Sequence, residues 1–349
     1  MRIGMMVSFG IGGADKSSYY LAEGLKDLGH DVVIFYTEMS FPKVSIQWDA
    51  NYEMLSRFES YKNFESHLIE DINDFNKYNI QILNSHRSGE DLWLIPGFEQ
   101  GAYNFPIVET NFHGVLQTKA DYRVFPSQTL VNFKRLTIPH SVIFNPIMPK
   151  LTNEDLREEL GIPKEAFVFG KISRASNEIF TPITYLAYKK NENPNAYFIQ
   201  MGINKATEEI VNKLNLKNFI AIDQTLDEVR ISKFYNTFDL YCHGNRLGET
   251  FGNTVAEAMM HGKPVITHLG DPTWPQAQCE VIDREDHIIR RQDVQAYLDY
   301  GNLMNDLMTD TNKYNEFQSY CDQRAKEYFD YKVVAKKYAD LFEKVLISK

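Results

Sequence analysis

Short apolar runs alternate with helical patterns along the first 150 residues. The runs at 2–9 (RIGMMVSF), 31–36 (DVVIFY), 80–85 (IQILNS), 106–111 (PIVETN), 122–127 (YRVFPS) and 141–146 (SVIFNP) predict strands. Between the first two, Leu21, Leu25 and Leu28 recur at helical spacing and Gly29 supplies a stop. Strand–helix–strand units joined by short turns predict a mainly parallel sheet covered on both faces. A proline-bearing stretch follows, with a helix start expected at Thr152 or Asn153. The pattern then begins again, with strands expected at 167–172, 196–202, 218–223, 238–243 and 263–268. From about residue 290 it turns wholly helical, and the last segment puts Val334, Tyr338, Leu341 and Val345 on one face. The expected fold class is α/β, with two doubly wound, Rossmann-like domains facing across a cleft. Residues 1–150 form the first domain, 151–330 the second, and 331–349 a terminal helix packing back toward the first.

A chain of 349 residues is long enough for two cores, and 43% hydrophobic residues mark it as globular. No apolar run approaches the roughly 20 residues that span a bilayer. The opening MRIGMMVSFGIGG is broken by glycines and reads as a strand and turn rather than a signal peptide. The net charge of −10 is spread evenly, with 13 Lys and Arg against 17 Asp and Glu up to residue 150 and 24 against 30 thereafter. Neither half has the basic excess of a nucleic-acid partner, and weak peripheral membrane contact has no strong footprint. Three scattered cysteines, Cys242, Cys279 and Cys321, indicate neither a disulfide framework nor a zinc site. A reducing, cytoplasmic compartment is the simplest reading.

In doubly wound sheets ligands bind beyond the carboxyl ends of the strands, so the residues just after each strand carry the candidate chemistry. After the first strand, Gly10, Gly12 and Gly13 permit a tight turn into a helix beginning near Asp15, whose free N–H groups suit a phosphate or a sugar hydroxyl. Asp15 stands where the third glycine of a dinucleotide fingerprint belongs, although Glu38 after the second strand could hold a ribose. An NAD(P)-dependent oxidoreductase is therefore weakened but stays open. His86 and His113 fall at the ends of the third and fourth strands, each in a glycine-containing turn. Lys171 and Arg174 are expected in the loop after the first strand of the second half, where cations could neutralise a leaving diphosphate. Solvated charges are the commoner role for such residues.

The stretch RLGETFGNTVAEAMMHGKPVITH, residues 246–268, is the most informative. Glu249 precedes Phe251, Gly252 and Asn253, and a helix is expected to start there with Asn253 or Thr254 as cap. Backbone N–H groups of 251–254 make an anion site. Glu257, one turn into the helix, can accept two hydrogen bonds from a vicinal diol such as ribose. Glu249, on the loop side, can accept from hydroxyls attached beyond the phosphates. Carboxylate, amide cradle, carboxylate fits sugar, diphosphate, ribose.

GETFGNTVAEAMMHGKPVI resembles the E-x-F-G signature of retaining GT-B glycosyltransferases of glycosyltransferase family 4, also called glycosyl transferases group 1. The segments GIGGADKSSYYLAEGLKDLGHDV, ILNSHRSG, VFGKISR, LDEVRISKFYNTFDLYCHG and QCE agree in order, and only residues 40–75 are poorly covered. The resemblance implies transfer of a sugar from a nucleoside-diphosphate donor to a glycan, lipid-linked or other hydroxyl acceptor. Glu249 would contact the donor sugar, the amides of Phe251, Gly252 and Asn253 the pyrophosphate, and Glu257 the nucleotide ribose. Lys171 or Arg174 would be the phosphate cation, His113 would stand near the transferred sugar, and Gly12 and Gly13 would close on the donor. The lysine that the family pattern places after the arginine falls at Ile179, which motivates a second hypothesis, a sugar-nucleotide-binding relative without turnover. No D-x-D occurs, and neither a metal nor a cofactor is expected.

Overall fold

A computed structural model of the protein describes residues 1–10, 12–40, 57–87, 95, 103–116 and 119–348. Ile11 of the first glycine turn, residues 88–89 of the loop predicted after His86 and part of the poorly covered stretch, 41–56, lie outside them. The chain divides into two compact units, one of Met1–Ile147 with Phe329–Lys349 and one of Met148–Tyr328.

The first unit is built on seven strands, β1 (Arg2–Met6), β2 (Asp31–Tyr36), β3 (Glu65–Leu68), β4 (Ile82–Arg87), β5 (Ile107–Asn111), β6 (Tyr122–Phe125) and β7 (His140–Val142). They pair in parallel in the order β3-β2-β1-β4-β5-β6-β7. Runs such as Val32–Phe35 are buried on both faces, as continuous apolar strands of a covered parallel sheet must be. The polar β3 carries no such signal. It is an edge strand tied on by Arg2, whose guanidinium bonds Glu65 at 2.8 Å as well as Asp31 of β2.

The helix Gly13–Asp27 covers one face through Leu21 and Leu25. Leu28, read from spacing as part of that stripe, is 39% exposed because the helix ends at Asp27 and the chain turns through Gly29 at φ +82°. Against this helix packs the terminal helix Tyr331–Ile347, with Val334, Tyr338, Leu341 and Val345 buried beside Ile3, Met5, Leu21 and Leu25. The Tyr331 hydroxyl donates to Asp27 at 2.6 Å, which holds that carboxyl below its ordinary range.

The second unit is built on six parallel strands, β8 (Phe167–Ile172), β9 (Ala196–Met201), β10 (Phe219–Ile222), β11 (Leu240–Cys242), β12 (Val265–His268) and β13 (Ile288–Ile289). Their order is β10-β9-β8-β11-β12-β13. The two-residue β13 is too short to leave a periodic pattern, and it exists through its pairing with Thr267 and His268. No helix forms at Thr152 or Asn153. The segment is instead a series of turns pinned by Arg157, which donates to the carbonyls of Pro163, Lys164, Ala166 and Thr237 and pairs with Asp239 at 2.9 Å. Among the described residues no helix is long and apolar enough to cross a membrane.

Both sheets reverse their strand order once. β1 lies between β2 and β4, and β8 between β9 and β11. At such a reversal the connections leave in opposite directions and open a crevice beyond the carboxyl ends. In the second unit that position belongs to the residues after β8 and β11, which are 173–182 and 243–252.

Close approach of the two helices in the first unit depends on Gly24, where a Cβ would lie 2.7 Å from Ala335 Cβ and 2.8 Å from the Tyr331 carbonyl oxygen. Gly24→Val is expected to destabilise the first unit by about 1–3 kcal/mol through overpacking. Urea unfolding followed by tyrosine fluorescence measures it, and an unchanged midpoint would contradict this packing.

Candidate functional site

Lys171 lies within β8, not in the loop after it, because β8 continues to Ile172 in register with β9. It is 3% exposed. Its Nζ stands 5.0 Å from the centroid of the Tyr185 ring, and among the described residues no carboxylate or hydrogen-bond acceptor is paired with it. Gly244 in the loop after β11 keeps the space above it, since a Cβ there would meet Thr184 at 2.9 Å and Lys171 Nζ at 3.4 Å. A cation on so buried a residue, with no counter-ion among the described residues, marks a place suited to an anion. The neighbouring His268 is buried, which with the nearby His243 and Lys171 pushes its pKa down to about 4 despite a bond to the Leu269 carbonyl. It is therefore neutral at physiological pH.

Arg174 follows in the exposed loop. Ile179, where the resemblance expects a second cation, is 8% exposed in a short 3₁₀ turn, Asn177–Ile179.

Glu249 projects from the loop after β11, and Gly248 before it takes φ +85°. A short parallel bridge to Gln276 fixes its backbone, with the Ala277 N–H donating to the Glu249 carbonyl at 3.0 Å. Its Oε1 receives the Asn245 amide at 2.8 Å and lies 3.4 Å from His243 Nε2. Burial alone would raise the Glu249 pKa, but the bond and field of His243, the Asn245 amide and the charge of Arg174 turn the shift downward. The carboxylate is thus ionised at neutral pH and its side chain is 29% exposed.

The helix Asn253–Met260 opens at Gly252, not at a capping Asn253 or Thr254. Gly252 adopts φ +105°, a left-handed conformation that favours glycine, and it has no side chain to cap the first turn. Phe251 is buried beneath it. Glu257 is 5% exposed, and its Oε2 accepts from the Tyr235 hydroxyl at 2.7 Å. Tyr241 joins these parts. Its hydroxyl donates to the Ile172 carbonyl at 3.2 Å and contacts Thr254, and both glutamates bear on its ionisation.

In the first unit the helix after β1 starts at Gly13, with Gly12 as its extended N-cap. Here Asp15 fills the turn. Its carboxylate accepts from the Gly12 N–H at 3.2 Å and from the Ser8 hydroxyl, and a Cβ on Gly10 would collide with it at 2.4 Å. A dinucleotide phosphate entering this turn would meet a carboxylate, so the geometry opposes the oxidoreductase alternative.

His86 is not in a turn but inside β4, buried against Phe112, and burial pushes its pKa down to about 3. Neither ring nitrogen has a hydrogen-bond partner. His113 is exposed in the turn after β5. The Asn111 side chain shapes that turn, accepting from the N–H of His113 at 3.1 Å and of Gly114 at 2.8 Å and donating to the Val115 carbonyl at 2.6 Å. Asn111 is held in turn by Glu109, itself paired with Arg123 at 2.7 Å.

Residues 152–324 match the sequence profile of the family described as glycosyl transferases group 1. The chain is a glycosyltransferase, and its residues 152–324 belong to group 1. Its fold is that of solved GT-B glycosyltransferases. A glycosyltransferase from Rickettsia africae aligns over 100% of this chain and 99% of its own at 16% identity, with a TM-score of 0.77. HepE of Anabaena, solved with UDP and glucose, aligns over 99% and 100% at 17% identity and a TM-score of 0.73. A sucrose-phosphate synthase from Thermosynechococcus elongatus aligns over 100% of both chains at 16% identity, also with a TM-score of 0.73. No curated protein sequence matches the chain.

In this glycosyltransferase the second unit brings Arg174, Glu249, Thr254 and Glu257 around the carboxyl ends of β8 and β11, beside Lys171. Gly12, Gly13, His86 and His113 belong to the other unit. Sequence reasoning missed His243, Asn245 and Tyr235, which hold the two glutamates. His243 ends the predicted strand 238–243, so the strand-end rule already pointed to it. Nothing local singles out Tyr235.

Asn111→Ala would remove three hydrogen bonds from the His113 turn at once. A loss of about 1–3 kcal/mol in stability is expected, since two backbone donors and a carbonyl lose their partner. Chemical denaturation reads it, and Asn111→Asp should lose at least as much, because a second buried carboxylate would face Glu109 and the Val115 carbonyl.

Proposed function

We propose that this glycosyltransferase moves a sugar from a nucleoside-diphosphate donor to an acceptor hydroxyl, with retained anomeric configuration and without a divalent ion. The observation that carries the reading is Lys171, a cation on a buried residue without a counter-ion among the described residues, at the strand-order reversal of a group 1 domain. The second unit takes the donor. Glu249 accepts from hydroxyls of the sugar, the amides of Phe251, Gly252 and Asn253 with Thr254 cradle the pyrophosphate, and Glu257 receives the ribose. Base and sugar are those of a nucleotide sugar such as the UDP-glucose bound by HepE. The first unit takes a glycan, lipid-linked or other hydroxyl acceptor, with Gly12, Gly13 and His113 at its strand ends. His86, buried and neutral, supports that face from within the sheet.

The chemistry follows from charge. As the glycosidic bond breaks, positive charge grows on the anomeric carbon and negative charge on the departing diphosphate. Lys171, Arg174 and the helix-end amides stabilise that negative charge as it develops. With two side-chain cations and amides to stabilise the leaving group, a divalent ion is not required. The leaving phosphate takes the acceptor proton on the same face, which retains the configuration. The two-carboxylate scheme of glycosidases does not apply, because Glu257 is given to the ribose.

Ile179, buried where the family pattern carries a lysine, favours a second reading, a donor-binding relative without turnover. Nucleoside diphosphate release from nucleotide sugars, with and without a broad acceptor panel, separates the two. Tight binding without release supports the second.

Lys171→Met carries the decisive prediction. Removing an uncompensated buried charge is expected to raise the melting temperature of the ligand-free protein. The same change should lower the transfer rate by about 100- to 1,000-fold, the usual loss for one stabiliser of the departing charge. A Lys171 that merely supports the fold would lower both. Glu257→Ala should weaken binding of the bare nucleoside diphosphate, read by calorimetry, whereas Glu249→Ala should impair transfer and leave that binding nearly intact. Negligible effects of both changes would refute the assignment.

A further inference from the structure

The hydrogen bonds of Glu249 are distributed unevenly between its two oxygens. Oε1 is served by two protein donors, the Asn245 amide at 2.8 Å and His243 at 3.4 Å. Oε2 has no partner among the described residues, on a side chain that is 29% exposed. A carboxylate can only accept, so Nε2 of His243 carries the proton. Its Nδ1 hydrogen-bonds the Thr267 hydroxyl at 2.7 Å, which fixes the plane of the ring. The Asn245 amide is equally constrained, for its Oδ1 accepts from the Leu247 N–H at 3.0 Å. The His243 backbone is anchored as well, its carbonyl receiving the buried Tyr300 hydroxyl at 2.9 Å and its N–H donating to the Ile266 carbonyl at 2.9 Å.

We infer that His243 and Asn245 are positioning residues that saturate one oxygen of Glu249 and present the other, in a fixed direction, to hydroxyls of the donor sugar. The inference rests on Glu249 contacting that sugar. It adds a specificity determinant outside the E-x-F-G stretch. Two donors on one oxygen remove the rotation by which a half-exposed glutamate would otherwise sample several orientations. Only those sugars whose hydroxyl reaches the remaining oxygen gain from it. The buried Thr267, 24 residues downstream of His243, therefore acts on the sugar through two intermediate groups.

The test compares binding of UDP, GDP and ADP with UDP-glucose, GDP-mannose and ADP-glucose by calorimetry, for wild type and for His243→Ala, His243→Gln, Asn245→Ala and Glu249→Ala. For the base that binds, His243→Ala and Asn245→Ala should each weaken the nucleotide sugar about tenfold, the low end of losing a hydrogen bond to a charged group. The bare diphosphate should bind unchanged, which also reports that the site is folded. His243→Gln, whose amide reaches the same oxygen, should recover most of the loss. Equal weakening of diphosphate and nucleotide sugar by His243→Ala, or wild-type behaviour of both alanine variants while Glu249→Ala loses the sugar's contribution, overturns the inference and leaves the proposed function standing. If Glu249→Ala itself changes nothing, or if none of the six compounds binds, the reading beneath it fails.

Discussion

A parallel sheet whose strand order reverses leaves a gap that its own connections cannot fill, and this constraint organises the second unit. At the reversal between β8 and β11 the backbone ends without a covering helix, so side chains there are buried by neighbours below and face a crevice above. Lys171 is the sharpest consequence. Its stem is enclosed by Tyr185, Thr184 and the loop at Gly244, yet among the described residues no acid is paired with its ammonium. A fold that keeps such a charge sacrifices stability, and packing around Phe169, Tyr188 and Tyr300 has to offset it. The sacrifice makes physical sense only where an anion arrives from outside.

The two glutamates show the same economy of motion. Each has one oxygen held by the protein, Glu249 by Asn245 and His243, Glu257 by Tyr235. Glu249 has no lysine or arginine in hydrogen-bonding contact among the described residues. The arrangement orients both carboxylates as acceptors before any ligand binds.

The two helix mouths contrast instructively. In the first unit the helix beginning at Gly13 meets its own anion, Asp15, which takes the turn's N–H and the Ser8 hydroxyl. In the second unit the helix beginning at Asn253 opens at a left-handed glycine with no capping side chain. Both are glycine-rich strand-to-helix turns, but only the first is filled by a carboxylate of its own helix.

Much of this was legible in the chain itself. The apolar runs of β1, β2, β8 and β9 are continuous because both faces are buried, and the stripe of the terminal helix follows from its single docked face. The order of Glu249, the glycine turn and Glu257 is likewise a local matter, since a helix mouth and the residues beside it are set within a dozen positions. Other features depend on partners distant in sequence. The polar β3 exists because Arg2 ties it to β2, and β13 because β12 offers it an edge. Thr152 and Asn153 start no helix because Arg157 draws the segment onto Asp239. The burial of Lys171 and His86, and the hold of His243 and Tyr235 on the glutamates, likewise arise only after strands and helices are assembled. Local pattern specifies which backbone a segment prefers, whereas the electrostatic character of a side chain is decided by what surrounds it, and that is a property of the packed chain alone.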